Sequence, residues 1–399
     1  LMDFGTFLNL GSAPAGTYQT LTLTLTNPQM TVLDLSKTPP APLQIPTTLS
    51  SSNVSVDLTA PLVVSSGGTV GLNLDFNLLK SIQVNATGQV TGTVNPDITA
   101  APSSAATSPD IEDVAGIVQS VSTQSASAFV GSLTINNASG GPLTVDVPSD
   151  SVIKGASGLS AIQPGTFVEM NVQLSASGAV TANEVDVELA DTGQTRAFAG
   201  YIVAVTRDTS GNAQQFVMIV RTEYPSPVAS LSLLSMVTVN VSASTQFGMA
   251  SQSTNVGGLT YSQATVGAGQ EVVVHGPLPQ PSAGGSSGAA TMTASAVFLR
   301  QQSLLGTFQK LLTGSSADNL QGGFTFVPCE PLMQSQPMPV FTFEQTQFTG
   351  VSGLNQLSPT AETVVRGLLF YTAQPQSING IAVQPPTMLF EASGVEQLQ

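Results

Sequence analysis

Leu143-Thr-Val-Asp-Val-Pro-Ser-Asp-Ser-Val-Ile153, Val237-Thr-Val-Asn-Val-Ser-Ala-Ser-Thr-Gln-Phe247 and Met338-Pro-Val-Phe-Thr-Phe-Glu-Gln-Thr-Gln-Phe348 share one shape at one length. Each alternates apolar and polar residues as a strand does, passes through a polar turn and ends on an apolar residue. Each also follows a Gly-led strand and precedes a further strand pair. The chain beyond its first quarter therefore reads as one β module used three times.

The first module covers residues 112–191. Ala115-Gly-Ile-Val-Gln-Ser-Val121 opens it, Phe129 lies on its second strand, the shared element is third, and Gly165–Val172 and Val180–Val187 close it. Residues 197–302 repeat that order with Phe198–Val203, Phe216–Val220, the shared element, Gly269–Gly276 and Met292–Leu299. Residues 304–399 repeat it again with Leu305–Phe308, Gly323–Val327, the shared element, Glu362–Phe370 and Met388–Ala392. Five strands per module predict a small, partly open β-barrel of the oligonucleotide-binding-fold size. On this register Pro279–Ala290, which has the composition of a linker, becomes an exposed hairpin loop between the fourth and fifth strands of the second module, and Thr222–Leu233 falls between its second and third.

Residues 1–100 are read as a β-sandwich. In Thr17–Thr26 the residues Leu21, Leu23 and Leu25 alternate with threonines, the mark of a half-buried antiparallel strand. Val70, Leu72, Leu74, Phe76 and Leu78 mark a second, and Val84, Val90 and Val94 belong to shorter neighbours. Residues 101–111, rich in Pro, Ser and Ala without periodicity, are read as a linker. The chain begins at Leu1 and not at Met, inside sequence that reads as folded, and is read as a processed product whose sandwich lacks its first strands. The predicted fold class is all-β throughout.

Only 8% of the residues are charged, against roughly a quarter in ordinary soluble domains. With 41% hydrophobic residues there is ample material for cores, and the surface must consist of uncharged Ser, Thr, Gln, Asn and Gly. Such a surface repels neighbours little. The net charge is −15, and the nine basic residues are scattered singly from Lys37 to Arg366. Nucleic acid and anionic membranes are poor partners for that distribution. No stretch approaches the roughly 20 apolar residues of a membrane-spanning helix.

The module pattern combines an opening Gly strand, a valine-rich third strand with a Thr-x-Phe ending, a Gly-x-x-Val-x-Val-x-Gly strand and a closing Ala-x-x-Val strand. It resembles a family of small β-barrel domains of unknown function found in secreted bacterial proteins, many acidobacterial. Residues 1–100, with Ala15-Gly-Thr-Tyr18 and Gly71-Leu-Asn-Leu-Asp-Phe76, are similar to the second part of another uncharacterised extracellular family that precedes such barrels. The resemblance implies a secreted or cell-surface protein and brings no catalytic residues with it.

Candidate chemistry is sparse. His275 is the one histidine, on the fourth strand of the second module, and no zinc-ligand set accompanies it; the Gly-x-Ser-x-Gly spacing within Gly284–Gly288 lacks the strand-to-helix context of a nucleophile elbow. Cys329 is the one cysteine, so no internal disulfide can form, and it is read as a buried small hydrophobe beside Phe324 and Phe326. Glu184, Asp186 and Glu188 alternate with Val185, Val187 and Leu189, as a solvated strand face does. Neither they nor Asp110, Glu112 and Asp113 fall in a calcium-loop pattern. Phe247, Phe324, Phe341 and Phe348 sit at strand positions that suit core packing, and with no Trp and five Tyr an aromatic sugar platform is thin. Gly284-Gly-Ser-Ser-Gly288 lacks the Lys and the strand-to-helix context of a phosphate loop.

The expectation is therefore a non-enzymatic protein without catalytic, metal or cofactor-binding residues, extracellular or on the cell surface. It would be a homo-oligomer or polymer, the subunit of a filament, sheath or surface layer joined through β-edges or a donated strand. The alternative is an adhesin-like module that binds glycan or protein. The polar outer face of the first shared element, with Asp146 and Asp150, contrasts with Phe341 and Phe343 in the third. That contrast predicts that the third face is covered by another module or subunit.

Overall fold

Each eleven-residue element is two strand segments joined by a turn, as a computed structural model shows: Pro142–Pro148 with Val152–Lys154, Met236–Asn240 with Gln246–Met249, and Met338–Thr342 with Gln347–Thr349. The structure describes residues 13–397 apart from 35, 38–40, 67–69, 87–88, 103–109, 125–127, 138–141, 175–178, 188–195, 225–234, 250–258, 278, 282–289, 313–321, 330–335, 379 and 386. The turn has one purpose in all three modules. Both segments run parallel to the module's closing strand, and between them the element advances six residues while the closing strand advances three. The pairs are Asp146↔Thr181 then Val152↔Glu184, Asn240↔Thr293 then Gln246↔Ala296, and Phe341↔Glu391 then Gln347↔Gly394. An identical excursion in an identical register explains the constant length of the element.

In the first module the strands Asp110–Thr123, Phe129–Asn137, Pro142–Pro148, Phe167–Leu174 and Val180–Val187 lie in the order three-two-one-four-five, and three meets five. The third module has the same order with Gln302–Leu311, Gly322–Pro328, Met338–Thr342, Glu362–Thr372 and Thr387–Gln397. Both are closed five-stranded Greek-key barrels of the oligonucleotide-binding type. Closure is more complete than the partly open barrel the sequence suggests, yet it rests on one residue pair in the first and two in the third. The second module keeps the order, with strands Ala197–Arg207, Ala213–Tyr224, Met236–Asn240 and Glu271–His275 and a fifth strand broken into Ala290–Thr293 and Ala296–Leu299. Its hairpin is present as expected: Gln280 and Pro281 pair with Thr291 and Ala290 across residues 282–289, which lie outside the described residues with the Gly284–Gly288 stretch.

Glycine in the first strand of each module is a steric necessity. A Cβ on Gly116, Gly200 or Gly306 would stand 2.6, 2.0 or 2.2 Å from the carbonyl oxygen of Asn136, Ile219 or Val327 on the adjoining strand. The first strand pairs on both edges, and its bend against the second strand leaves no room for a side chain.

Contacts divide the chain into two compact units, one holding Pro42–Ala190 and the other Asp191–Gln399. In the first unit the N-terminal region forms a sheet of Gly16–Thr24, Asn53–Val64, Ile98–Pro102 and Leu72–Phe76, with smaller sheets around it. A single helical turn, Leu78–Ser81, is capped by Asn77, whose Oδ1 accepts from the Lys80 N–H at 3.0 Å. The alternation of Leu21, Leu23 and Leu25 with exposed threonines is present, and the leucines are half-buried. Ala101, Pro102, Asp110 and Ile111, read as linker, lie in strands; Ala100 is a buried core residue and draws Ile98–Pro102 into the sheet. The remaining linker residues, 103–109, lie outside the described residues.

In the second unit two modules share a core. One apolar cluster runs from Phe216, Val239 and Val274 inside the second module to Phe341, Phe343, Leu368 and Phe370 on the outer face of the third. The predicted cover over Phe341 and Phe343 is therefore the neighbouring module. Gln270 pins the contact: its Nε2 donates to the carbonyls of Thr265 at 2.8 Å and Leu369 at 2.9 Å, while its Oε1 accepts from the Gly267 N–H at 2.6 Å. The Arg207 guanidinium stacks 3.9 Å above the Tyr371 ring.

Candidate functional site

The densest polar cluster among the described residues lies on the second module, where register brings together side chains far apart in sequence. Tyr201 on the first strand is paired with Glu271 on the fourth, Arg221 comes from the second strand, and Arg300 follows the fifth with its N–H donating to the Glu271 carbonyl at 2.9 Å. Arg221 Nη2 donates to Glu271 Oε1 at 2.6 Å and its Nη1 to the Tyr201 hydroxyl at 3.1 Å. Arg300 Nη1 stands 3.8 Å from the same carboxylate oxygen, and its side chain is only 1% exposed. Gln302 fastens the backbone, accepting from the Glu271 N–H at 2.8 Å and donating to Gly269 O at 3.0 Å. Beside this lies a second pair, Arg196 with Glu223 at 3.4 Å.

Burial first, and the Glu271 charge second, hold the Tyr201 phenol far above its ordinary range, so it stays protonated and acts as a hydrogen-bonding group. Two guanidinium groups around one carboxylate, with a locked phenol, make an ionic fastening. Residue-by-residue reading missed this cluster. Its one trace in the sequence is that four of the nine basic residues, all Arg, fall between Arg196 and Arg300.

His275 is buried on the fourth strand, with its ring edge-to-face against Phe298 at 5.5 Å. Cys329 corrects the sequence reading, for it is exposed. The second strand of the third module ends at Pro328, and Phe324, Phe326 and Pro328 take the buried positions, so the next residue falls outside. The acidic triplet is corrected as well. Glu184 is paired with Lys154 Nζ at 2.6 Å and Asp186 is buried, because Val152–Lys154 runs alongside that strand and covers it. Glu188 and the side chains of Asp110, Glu112 and Asp113 lie outside the described residues. Among the described residues no group of three or more His, Cys, Asp or Glu is placed to hold a metal ion. Phe324 and Phe341 are core residues, and Phe247 and Phe348 pack against cores, as expected.

A shallow cavity of about 220 Å³ opens on the third module between Leu312, Thr325, Met338 and Val383. Its volume falls below the roughly 300–1,000 Å³ of ordinary small-molecule sites. Among the described residues no helix is long and apolar enough to cross a membrane.

Residues 4–93 match an uncharacterised family, described as Domain of unknown function (DUF4382). No curated protein matches the chain. Among solved structures the chain is similar to "drosophila Unr CSD456", at 9% identity and a TM-score of 0.17, over 72% of this chain and 97% of that one.

Proposed function

We propose that the chain is a non-enzymatic structural protein of the cell exterior, the subunit of a filament, sheath or surface layer. The observation that carries this reading is an open sheet edge in the N-terminal region. Gly16–Thr24 is the outermost strand of its sheet, and among the described residues it pairs with Asn53–Val64 alone. Closure uses up the edges expected in the first and third barrels, which supports this sheet as the proposed place for pairing between subunits. The same region carries exposed apolar side chains, with Val63 and Val84 at 59%, Leu43 at 51% and Phe76 at 39%. The nearly uncharged surface favours close packing, and the extracellular setting is part of the proposal, suggested by the sequence resemblance alone.

Lysines at Thr20 and Thr22, both exposed on the edge strand, test the reading with little effect on folding. Light scattering and negative-stain microscopy of the full chain are expected to show ordered assemblies that the double variant does not form. Monodisperse protein at high concentration without the substitutions overturns it.

The adhesin-like alternative is favoured by one observation, the third-module cavity. That cavity is flanked by the second and third strands, the face on which barrels of this type bind oligosaccharides. It predicts a stable monomer with saturable binding on a glycan array.

A further inference from the structure

Glu391 lies on the closing strand of the third module, with its neighbours Phe390 and Ala392 turned into that module's own core. Register therefore places Glu391 on the opposite, outer face, between its two cross-strand partners Phe341 and Leu368. Both partners belong to the apolar cluster that the third module shares with the second. Two residues earlier on the same face is Leu389 of that cluster; two residues later is Ser393, whose hydroxyl donates to Gln301 Oε1 at 3.3 Å in the segment joining the modules. Glu391 is thus a carboxyl at the margin of an intermodule apolar contact. It is 8% exposed, and its Oε1 is buried without a hydrogen-bond partner.

We propose that Glu391 makes the seating of the third module on the second dependent on proton uptake: seated with the carboxyl neutral, loosened when it ionises. An ionised carboxylate on that face loses hydration without gaining donors, whereas the neutral acid tolerates apolar surroundings.

The charged and titratable groups nearby do not relieve it. The third strand, Met338–Thr342, contributes none, and Glu344 follows it. The fourth strand carries Glu362, Arg366 and Tyr371; Arg366 faces Glu396 at 3.4 Å and Tyr371 faces Arg207. In the joining segment Arg300 Nη1 stands 3.8 Å from Glu271 Oε1. Burial alone raises the Glu391 carboxyl from 4.5 to about 7.

The sign follows from that direction. Between pH 4.5 and about 7 the seated form holds a proton that the released form has lost, so docking weakens as pH rises through this window and is weakest above it.

Hydrogen exchange of the full chain, corrected for intrinsic rates, reads the effect at about pH 5 and about pH 8. Protection of Phe341 and Leu368–Tyr371 is expected to fall on the order of 100-fold between them. E391Q, a neutral isostere, is expected to keep the low-pH protection at both values. Equal protection of the unsubstituted protein at both pH values, or an E391Q variant that loses protection as the unsubstituted protein does, overturns the proposal. Should E391Q fail to fold, carboxyl-carbon NMR of the unsubstituted protein decides. A Glu391 midpoint near 7 supports the proposal, and one in the ordinary carboxylate range overturns it.

Discussion

Thr346 donates its hydroxyl to the carbonyl of Ala392 at 2.7 Å and accepts from the N–H of Phe343 at 2.8 Å. The position is the ninth of the eleven-residue element, and the same contact recurs in the other modules: Thr245 to Ala294 O at 3.0 Å and Ser151 to Ala182 O at 2.6 Å. Where the element swings out of register, a ladder N–H no longer reaches the closing strand, and a side-chain hydroxyl takes its place. Each barrel is thereby fastened at its narrow seam.

Thr346→Val leaves the Ala392 carbonyl and the Phe343 N–H without their partner in a buried place, and is expected to cost about 2–3 kcal/mol. Ser151→Ala should cost less, about 1 kcal/mol, because residue 148 is Pro and has no N–H for the hydroxyl to accept from. Urea unfolding followed by circular dichroism, with Thr346→Ser as the control that keeps both bonds, checks the ranking.

The glycines separate two kinds of constraint. Gly165 has φ +92° but open space around a Cβ, whereas Gly200 has a carbonyl oxygen 2.0 Å from where a Cβ would stand. Gly165→Ala is expected to cost about 1 kcal/mol of backbone strain. Gly200→Ala must displace the Ile219 strand and should cost about 2–3 kcal/mol, the range of overpacked cores. Thermal midpoints of the two variants are expected to fall in that order.

These two devices mark how far the sequence could be read. Period-two alternation located the strands because each strand buries one face, and five per module followed from their spacing. The bend inside Leu143–Ile153 was not legible as two segments, since its cause is the parallel pairing of Val152–Lys154 with Glu184–Asp186, which are 30 or more residues distant. The same pairing buries Asp186 and leaves Glu184 half-buried. The aromatic outer face of Met338–Phe348 was legible as a covered surface; that the second module is the cover depends on packing that no local pattern encodes. The ionic cluster was missed for a related reason, as Arg221, Glu271 and Arg300 lie 50 and 29 residues apart.

Cys329 lies just past the end of a strand whose N–H···O pattern it extends by one bond, to Leu305 O at 2.8 Å, with its side chain outside. A disulfide-exchange reagent is expected to modify the native protein stoichiometrically and at the rate of an accessible thiol, without denaturant. Reaction only after unfolding would return Cys329 to the core.

The Arg221–Glu271–Arg300 cluster predicts an asymmetry between two substitutions. Glu271→Gln removes the carboxylate that faces both guanidinium groups and leaves Arg300, at 1% exposure, with a buried charge facing a neutral amide. The expected cost is about 3–5 kcal/mol, the range for breaking a buried pair from one side. Arg221→Met retains the aliphatic packing of a side chain that is partly in solvent and leaves Glu271 facing Arg300, so the cost should be about 1–2 kcal/mol. Differential scanning calorimetry of both variants measures the difference, and raising the salt concentration should not close it, because screening acts weakly on a buried charge.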